Sequence, residues 1–133
     1  MLKPLEDLFE AKEEFERCWP WLEAALSAFG IPTHTKHQVW WRIEKQRAFL
    51  WTRKKAAIIG EFYYFPSGIV SFNYWLQGGE LKACKAMHKG IEEWAADREK
   101  LDFYTGFGRP GWAKEMHGNW QRGPTQRWKR ASP

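Results

Sequence analysis

The stretch Ala56–Glu80, AAIIGEFYYFPSGIVSFNYWLQGGE, decides how this 133-residue chain is built. Its first four residues are apolar without alternation, as in a strand buried on both faces at the centre of a sheet. The run continues to Phe65, and Pro66-Ser67-Gly68 then turns the chain. From Ile69 the pattern has period two: Val70, Phe72, Tyr74 and Leu76 on one face, Ser71, Asn73 and Trp75 on the other. Gly78-Gly79 closes this strand and Glu80 opens a helix. Two consecutive antiparallel strands therefore lead directly into a helix.

Working outward, Ala48–Thr52 reads as a preceding strand and Arg53-Lys54-Lys55 as its turn, which makes a three-stranded meander. Downstream, Leu81, Cys84, Met87, Ile91 and Trp94 recur at helical spacing, with Lys82, Lys85, Lys89, Glu92 and Glu93 mostly opposite. Met87 and Trp94 fit that core stripe better than a cofactor contact. Leu101–Thr105 is the next strand. Before the meander, Leu5–Arg17 is an acidic amphipathic helix, and Pro20 starts a second one ending at Gly30 and Pro32, since proline is costly inside a helix and cheap at its start. Thr35 and Gln38 have capping-box spacing for a short third helix to about Gln46. The order predicts an α+β domain with a mixed sheet: an antiparallel meander followed by a strand-helix-strand crossover.

GFGRPG, Gly106–Gly111, matches the G-x-G-x-x-G dinucleotide fingerprint but lacks its setting. That motif opens a βαβ unit with an acidic residue about 20 positions further on. Only 22 residues follow Gly111, none after Glu115 is acidic, and Pro110 removes an N–H from the loop. The glycines read better as the exit from a strand, with Pro110 starting a short helix over Trp112–Met116.

Composition narrows the function classes. An apolar share of 44% with 10 Trp supplies a core, so disorder over the whole length is excluded. No apolar run spans a bilayer, and the acidic N-terminus is no signal peptide, so the expectation is an intracellular protein rather than a membrane or secreted one. Cys18 and Cys84 lack any CxxC spacing. The His34/His37 pair has no accompanying ligand, so no metal site is expected. Of the net charge of +5, Arg122, Arg127, Lys129 and Arg130 supply +4, leaving +1 for residues 1–117. Residues 1–117 thus read as one domain and 118–133 as a basic, aromatic-containing tail. In that tail Trp120 and Trp128 interleave with Arg122, Arg127 and Arg130, a pattern able to stack on bases and pair with phosphates, or to anchor a protein partner. Trp40-Trp41, Trp75, Trp120 and Trp128 are hard to bury together in so small a domain; the alternative is a heavy tryptophan core.

Phe49-Leu50-Trp51, Phe65-Pro66-Ser67-Gly68, Ile91-Glu92-Glu93-Trp94-Ala95 and Gly108-Arg109-Pro110-Gly111-Trp112, in this order and spacing over residues 20 to 117, resemble a group of small phage-encoded proteins of the GNAT (Gcn5-related N-acetyltransferase) type. The resemblance implies a GNAT-like fold and a phage or prophage setting. In an active member the strands matching Ile69–Leu76 and Leu101–Thr105 splay apart to admit the acetyl-CoA thioester arm. The pyrophosphate then binds a Q/R-x-x-G-x-G/A loop at the start of the long helix. Gln77, Gly78 and Gly79 are the matching cofactor-binding candidates, but Glu80 and Lys82 stand where glycines belong. For catalysis the resemblance points to a carboxylate and a tyrosine, with Glu61 and Tyr104 as candidates. The fold's last strands would have to come from Asn119–Arg122 and Thr125–Arg130, and its first strand has no counterpart.

Three functions follow as expectations. One is a GNAT-fold virion, assembly or accessory binding protein without conventional acetyl transfer, whose partner is a phage protein or a second copy. Another is an acyl-CoA-dependent N-acetyltransferase with a non-standard phosphate loop. The last is a nucleic-acid-binding module acting through the tail.

Overall fold

The computed structural model describes residues 1–28, 30–107, 121–122 and 127–131. Among these residues three helices, α1 (Leu8–Leu26), α2 (Lys36–Glu44) and α3 (Leu81–Arg98), flank a mixed sheet. Its strands are β1 (Phe49–Arg53), β2 (Ala56–Tyr64), β3 (Val70–Gly79), β4 (Phe103–Phe107), β5 (Gln121–Arg122) and β6 (Arg127–Ala131), in spatial order β1-β2-β3-β4-β6-β5. The first three pair antiparallel, α3 carries the chain across, and β4 pairs parallel with β3. The α+β reading with its meander and crossover therefore holds.

α1 and α2 cover one face of the sheet. Ala11, Phe15, Cys18, Leu22 and Leu26 form an unbroken buried stripe along α1 that meets Trp40 of α2 and Ile59 of β2. That stripe explains why the helix expected to break at Pro20 does not. Pro20 is exposed, so its missing N–H lies on the solvent side, while burial of Cys18 and Leu22 on either side holds the axis together. Asp7 caps α1 by accepting from the N–H groups of Phe9 and Glu10. The capping box on α2 forms in full: Thr35 Oγ1 accepts from Gln38 N, and Gln38 Oε1 accepts from Thr35 N.

α3 covers the other face, over an aromatic cluster. The Trp94 ring meets those of Phe49 and Trp51 at 5.0 and 5.2 Å, and Trp51 meets Phe72 at 6.1 Å. Phe72 occupies the space that a Cβ on Gly60 would need.

β3 differs from the expected alternation. Ile59 pairs with Leu76 but Gly60 pairs with Tyr74, so Trp75 is an extra residue on β3. The bulge sends both Trp75 and Leu76 toward α1 and α2, while Phe72 and Tyr74 face α3. Leu76 thus leaves the face that strict alternation assigns it. β3 also runs further than its apolar pattern, through Gln77, Gly78 and Gly79.

The basic C-terminal segment is not separate from the domain over its described residues. Arg127–Ala131 pairs antiparallel with Phe103–Phe107, and Gln121–Arg122 pairs with Trp128–Lys129. The short helix expected over 112–116, the Gly108–Trp112 phrase and Trp120 lie outside the described residues. At the other end, residues 1–7 form a strap rather than helix. Leu5 N donates to Leu50 O, Leu2 N donates to Gly90 O, and Trp51 Nε1 donates to Leu2 O.

Gly78 is required by close approach: a Cβ there would lie 2.4 Å from the Trp21 carbonyl oxygen. Gly68, in the β2–β3 turn, has open space but a φ of +90°. Gly78→Ala should therefore cost at least ~2 kcal/mol, because backbone of α1 must move, whereas Gly68→Ala should cost about 1 kcal/mol of backbone strain. Urea unfolding of the two variants measures the order, and equal losses would refute the packing argument.

Candidate functional site

Among the described residues β3 and β4 pair in register from Ser71↔Phe103 to Tyr74↔Gly106, and β4 is described to Phe107 while β3 continues to Gly79. The bulge at Trp75 follows the last of these pairs, and a bulge bends its strand and increases the local twist.

On the α1/α2 face a buried polar ladder crosses three strands at this level. Arg42 of α2 donates from Nη2 to Glu61 Oε2 at 2.8 Å. Asn73 Nδ2 donates to Glu61 Oε1 at 3.3 Å, and Thr105 Oγ1 donates to Asn73 Oδ1 at 2.8 Å. Glu61 pairs with Asn73 in the β2–β3 register, and Asn73 with Thr105 in the β3–β4 register, so strand pairing itself aligns the groups. Glu61, Asn73 and Thr105 are buried, and a charge there is tolerated because it is paired and hydrogen-bonded. The Arg42 guanidinium also lies 5.5 Å over the Trp75 ring, whose neighbour is the His34 imidazole at 4.9 Å. Outside this group a cleft of about 390 Å³ is lined by Thr33, His34, His37, Gln38, Trp41 and Arg42.

A second polar group lies on the α3 face. His88 Nε2 donates to Gln77 Oε1 at 2.6 Å, the Tyr74 ring packs 4.7 Å from the His88 ring, and Tyr74 Oη donates to Glu92 Oε2 at 2.5 Å. His88 and Glu92 are one helical turn apart on α3, so both reach the same strand.

The expected catalytic pair is not brought together. Glu61 faces α2 within the ladder, whereas Tyr104 is buried on the α3 face with its ring 6.4 Å from Phe72. The sheet lies between them. Gln77, Gly78 and Gly79 are strand residues rather than a loop: Gly78 pairs with Ala57 and Gly79 with Ala56. Gly79, at φ +90°, would place a Cβ 2.3 Å from Lys55 O, and Glu80 N donates to that same oxygen at 2.8 Å. α3 begins at the next residue, with Glu80 as N-cap and no side-chain cap bond. Beside this junction Arg53, Lys54, Lys55, Glu80 and Met87 line a cleft of about 360 Å³. Arg122, Arg127, Trp128 and Arg130 belong to β5 and β6, where Arg130 pairs in register with Tyr104.

Among the described residues no three His, Cys, Asp or Glu side chains are grouped as metal ligands, and no helix is long and apolar enough to cross a membrane. Sequence reasoning singled out Glu61 as a polar residue in an apolar strand but missed Arg42, Thr105, His88 and Glu92. Their polar character was visible; the register and helix packing that aim them at Glu61, Asn73, Gln77 and Tyr74 were not.

Arg42→Ala should cost about 2–3 kcal/mol by leaving Glu61 charged and unpaired, and adding Glu61→Gln should recover part of that loss. Denaturant unfolding of the single and double variants tests this; a double variant less stable than the single one would disprove the pairing. Burial pushes the Cys18 thiol up to about 11 and the Cys84 thiol up to about 12. Folding thus favours the protonated thiols. Their stabilisation is full below the ordinary thiol value of 9.0 and is lost as pH rises through about 11 and 12. Native protein at pH 8 should resist alkylation at both sites and react at both in denaturant; rapid native labelling would contradict this burial.

No protein-family model matches the chain, and no curated protein matches it either. Among solved structures it is similar to an acetyltransferase from Thermus thermophilus, with a TM-score of 0.59 over 99% of this chain and 96% of that chain, at 14% sequence identity. At that identity the likeness is one of fold. The antiparallel meander, the crossover helix and the parallel strand beside β3 are accordingly a GNAT-like fold.

Proposed function

We propose that this GNAT-fold chain is a binding protein of a bacteriophage particle or its assembly, working without conventional acetyl transfer. The observation that carries the reading is the junction between β3 and α3. An acetyl-CoA site of this fold needs a glycine-bearing loop whose free N–H groups meet the pyrophosphate at a helix N-terminus. Here one residue, Glu80, separates strand from helix. Its N–H is bound by Lys55 O, and a carboxylate at this N-cap position would repel a diphosphate. The glycines let protein backbone approach instead of phosphate: Trp21 at Gly78 and Lys55 at Gly79. The separation of Glu61 from Tyr104 by the sheet agrees with this, as does the phage resemblance of the local phrases.

An acyl-CoA-dependent N-acetyltransferase is the second reading, favoured by the GNAT-like fold and by the cationic Arg53, Lys54 and Lys55 beside the α3 N-terminus. A nucleic-acid module using Trp120, Arg122, Arg127, Trp128 and Arg130 is the third, with the basic charge of the segment behind it.

Thermal unfolding with and without acetyl-CoA separates the first two. A ligand at about 100 times its Kd adds about 2.7 kcal/mol of stability, several degrees for a domain of this size. Binding-protein function predicts no shift at millimolar acetyl-CoA; a rise of several degrees would overturn it.

A further inference from the structure

Two surface patches on this chain are complementary in charge, and each has an exposed apolar side chain. The first is a knob at the start of α1. Phe9 is 87% exposed and Leu8 49%, both large apolar side chains left in water. Around Phe9 stand Glu6, Glu10 and Glu13, all exposed and in no ion pair among the described residues, whereas Glu14 and Glu16 further along α1 are engaged by Arg17, Lys12 and Lys36. The second is the cleft of about 390 Å³ against α2, whose lining includes His34, His37, Trp41 and Arg42 and no acidic side chain. Trp41 is 43% exposed there, and the Arg47 guanidinium lies 5.6 Å over its ring. An aromatic with flanking arginine and histidine is a typical anchor for an apolar residue set among carboxylates.

Within one chain the knob does not reach the cleft. Lys36, at the start of α2, pairs with Glu16 of α1, and Phe9 lies seven residues, about 10 Å of helix, further toward the α1 N-terminus. The geometry points to a second copy of this chain as the partner: Phe9 of one copy enters the α2 cleft of the next, with Glu10 and Glu13 against His37 and Arg47. The contact joins two different patches, so every copy carries both halves of it and association propagates from copy to copy. This deepens the binding role proposed above by naming the occupant, and it rests on that role. Its test is independent of acetyl-CoA. An acetyl-CoA shift would overturn the role on which the inference rests, whereas a strictly monomeric protein without such a shift would overturn the association alone.

Sedimentation velocity over a wide range of protein concentration should show association of the wild type that weakens as salt is raised. Phe9→Ser and Trp41→Ala should each weaken it by roughly thirtyfold, the size of a hot-spot truncation, with melting temperatures within about 3 °C of wild type because both side chains are exposed. The two variants mixed should form a 1:1 pair, since one keeps the cleft and the other the knob, although neither associates alone. A wild type that stays monomeric, variants that associate as the wild type does, or a mixture that stays monomeric would each overturn the proposal.

Discussion

β3 carries one residue more than its antiparallel neighbour needs, and the rest of the architecture follows from where that residue, Trp75, goes. Eight consecutive residues of β3, Ser71 to Gly78, are buried, so it is the axis on which both faces are built. Up to Tyr74 it is held by β2 on one side and β4 on the other. Beyond the bulge it is held by β2, and α1 leans on it closely enough that only glycine fits opposite Trp21. The same irregularity turns both Trp75 and Leu76 toward α1 and α2 and puts Trp75 under the Arg42 guanidinium.

The GNAT-like fold and the chemistry of the β3–α3 junction are set by different features. Strand order is a property of topology, and topology survives at 14% identity. Phosphate binding is a property of a few N–H groups and of the space in front of them. In this chain backbone from Trp21 and Lys55 packs against Gly78 and Gly79, and the buried polar groups are organised as two internal networks, one on each face.

Much of this was legible in the sequence wherever a local rule governs. The Thr35/Gln38 box, the stripe Leu81–Trp94, the turn at Pro66-Ser67-Gly68 and the crossover are set by neighbours within a few residues. Pro20 misled because its cost depends on which side of the helix it occupies, and tertiary packing decides that. Leu76 changed face because a bulge has no marker in a strand of aromatic and amide residues. Residues 127–131 looked like a tail because charge dominates the composition, yet the backbone of that segment extends the sheet alongside β4. In the candidate site, Glu61 was conspicuous alone, but its meaning came from Arg42 and Asn73, which sit 19 and 12 residues away in sequence.

The strap at the N-terminus governs how the sheet ends. β1 is an outer strand, and such a strand offers a row of unpaired N–H and C=O groups that recruits further strands. Here Leu5 takes up the Leu50 carbonyl, Leu2 ties the strap to α3 at Gly90, and buried Pro4 between them has no N–H with which to continue a ladder. The margin beside β1 is thereby blunted against templated growth, the route by which open sheets become fibrous. Any larger assembly on that side must be made by side chains meeting side chains, which keeps it reversible and sensitive to salt.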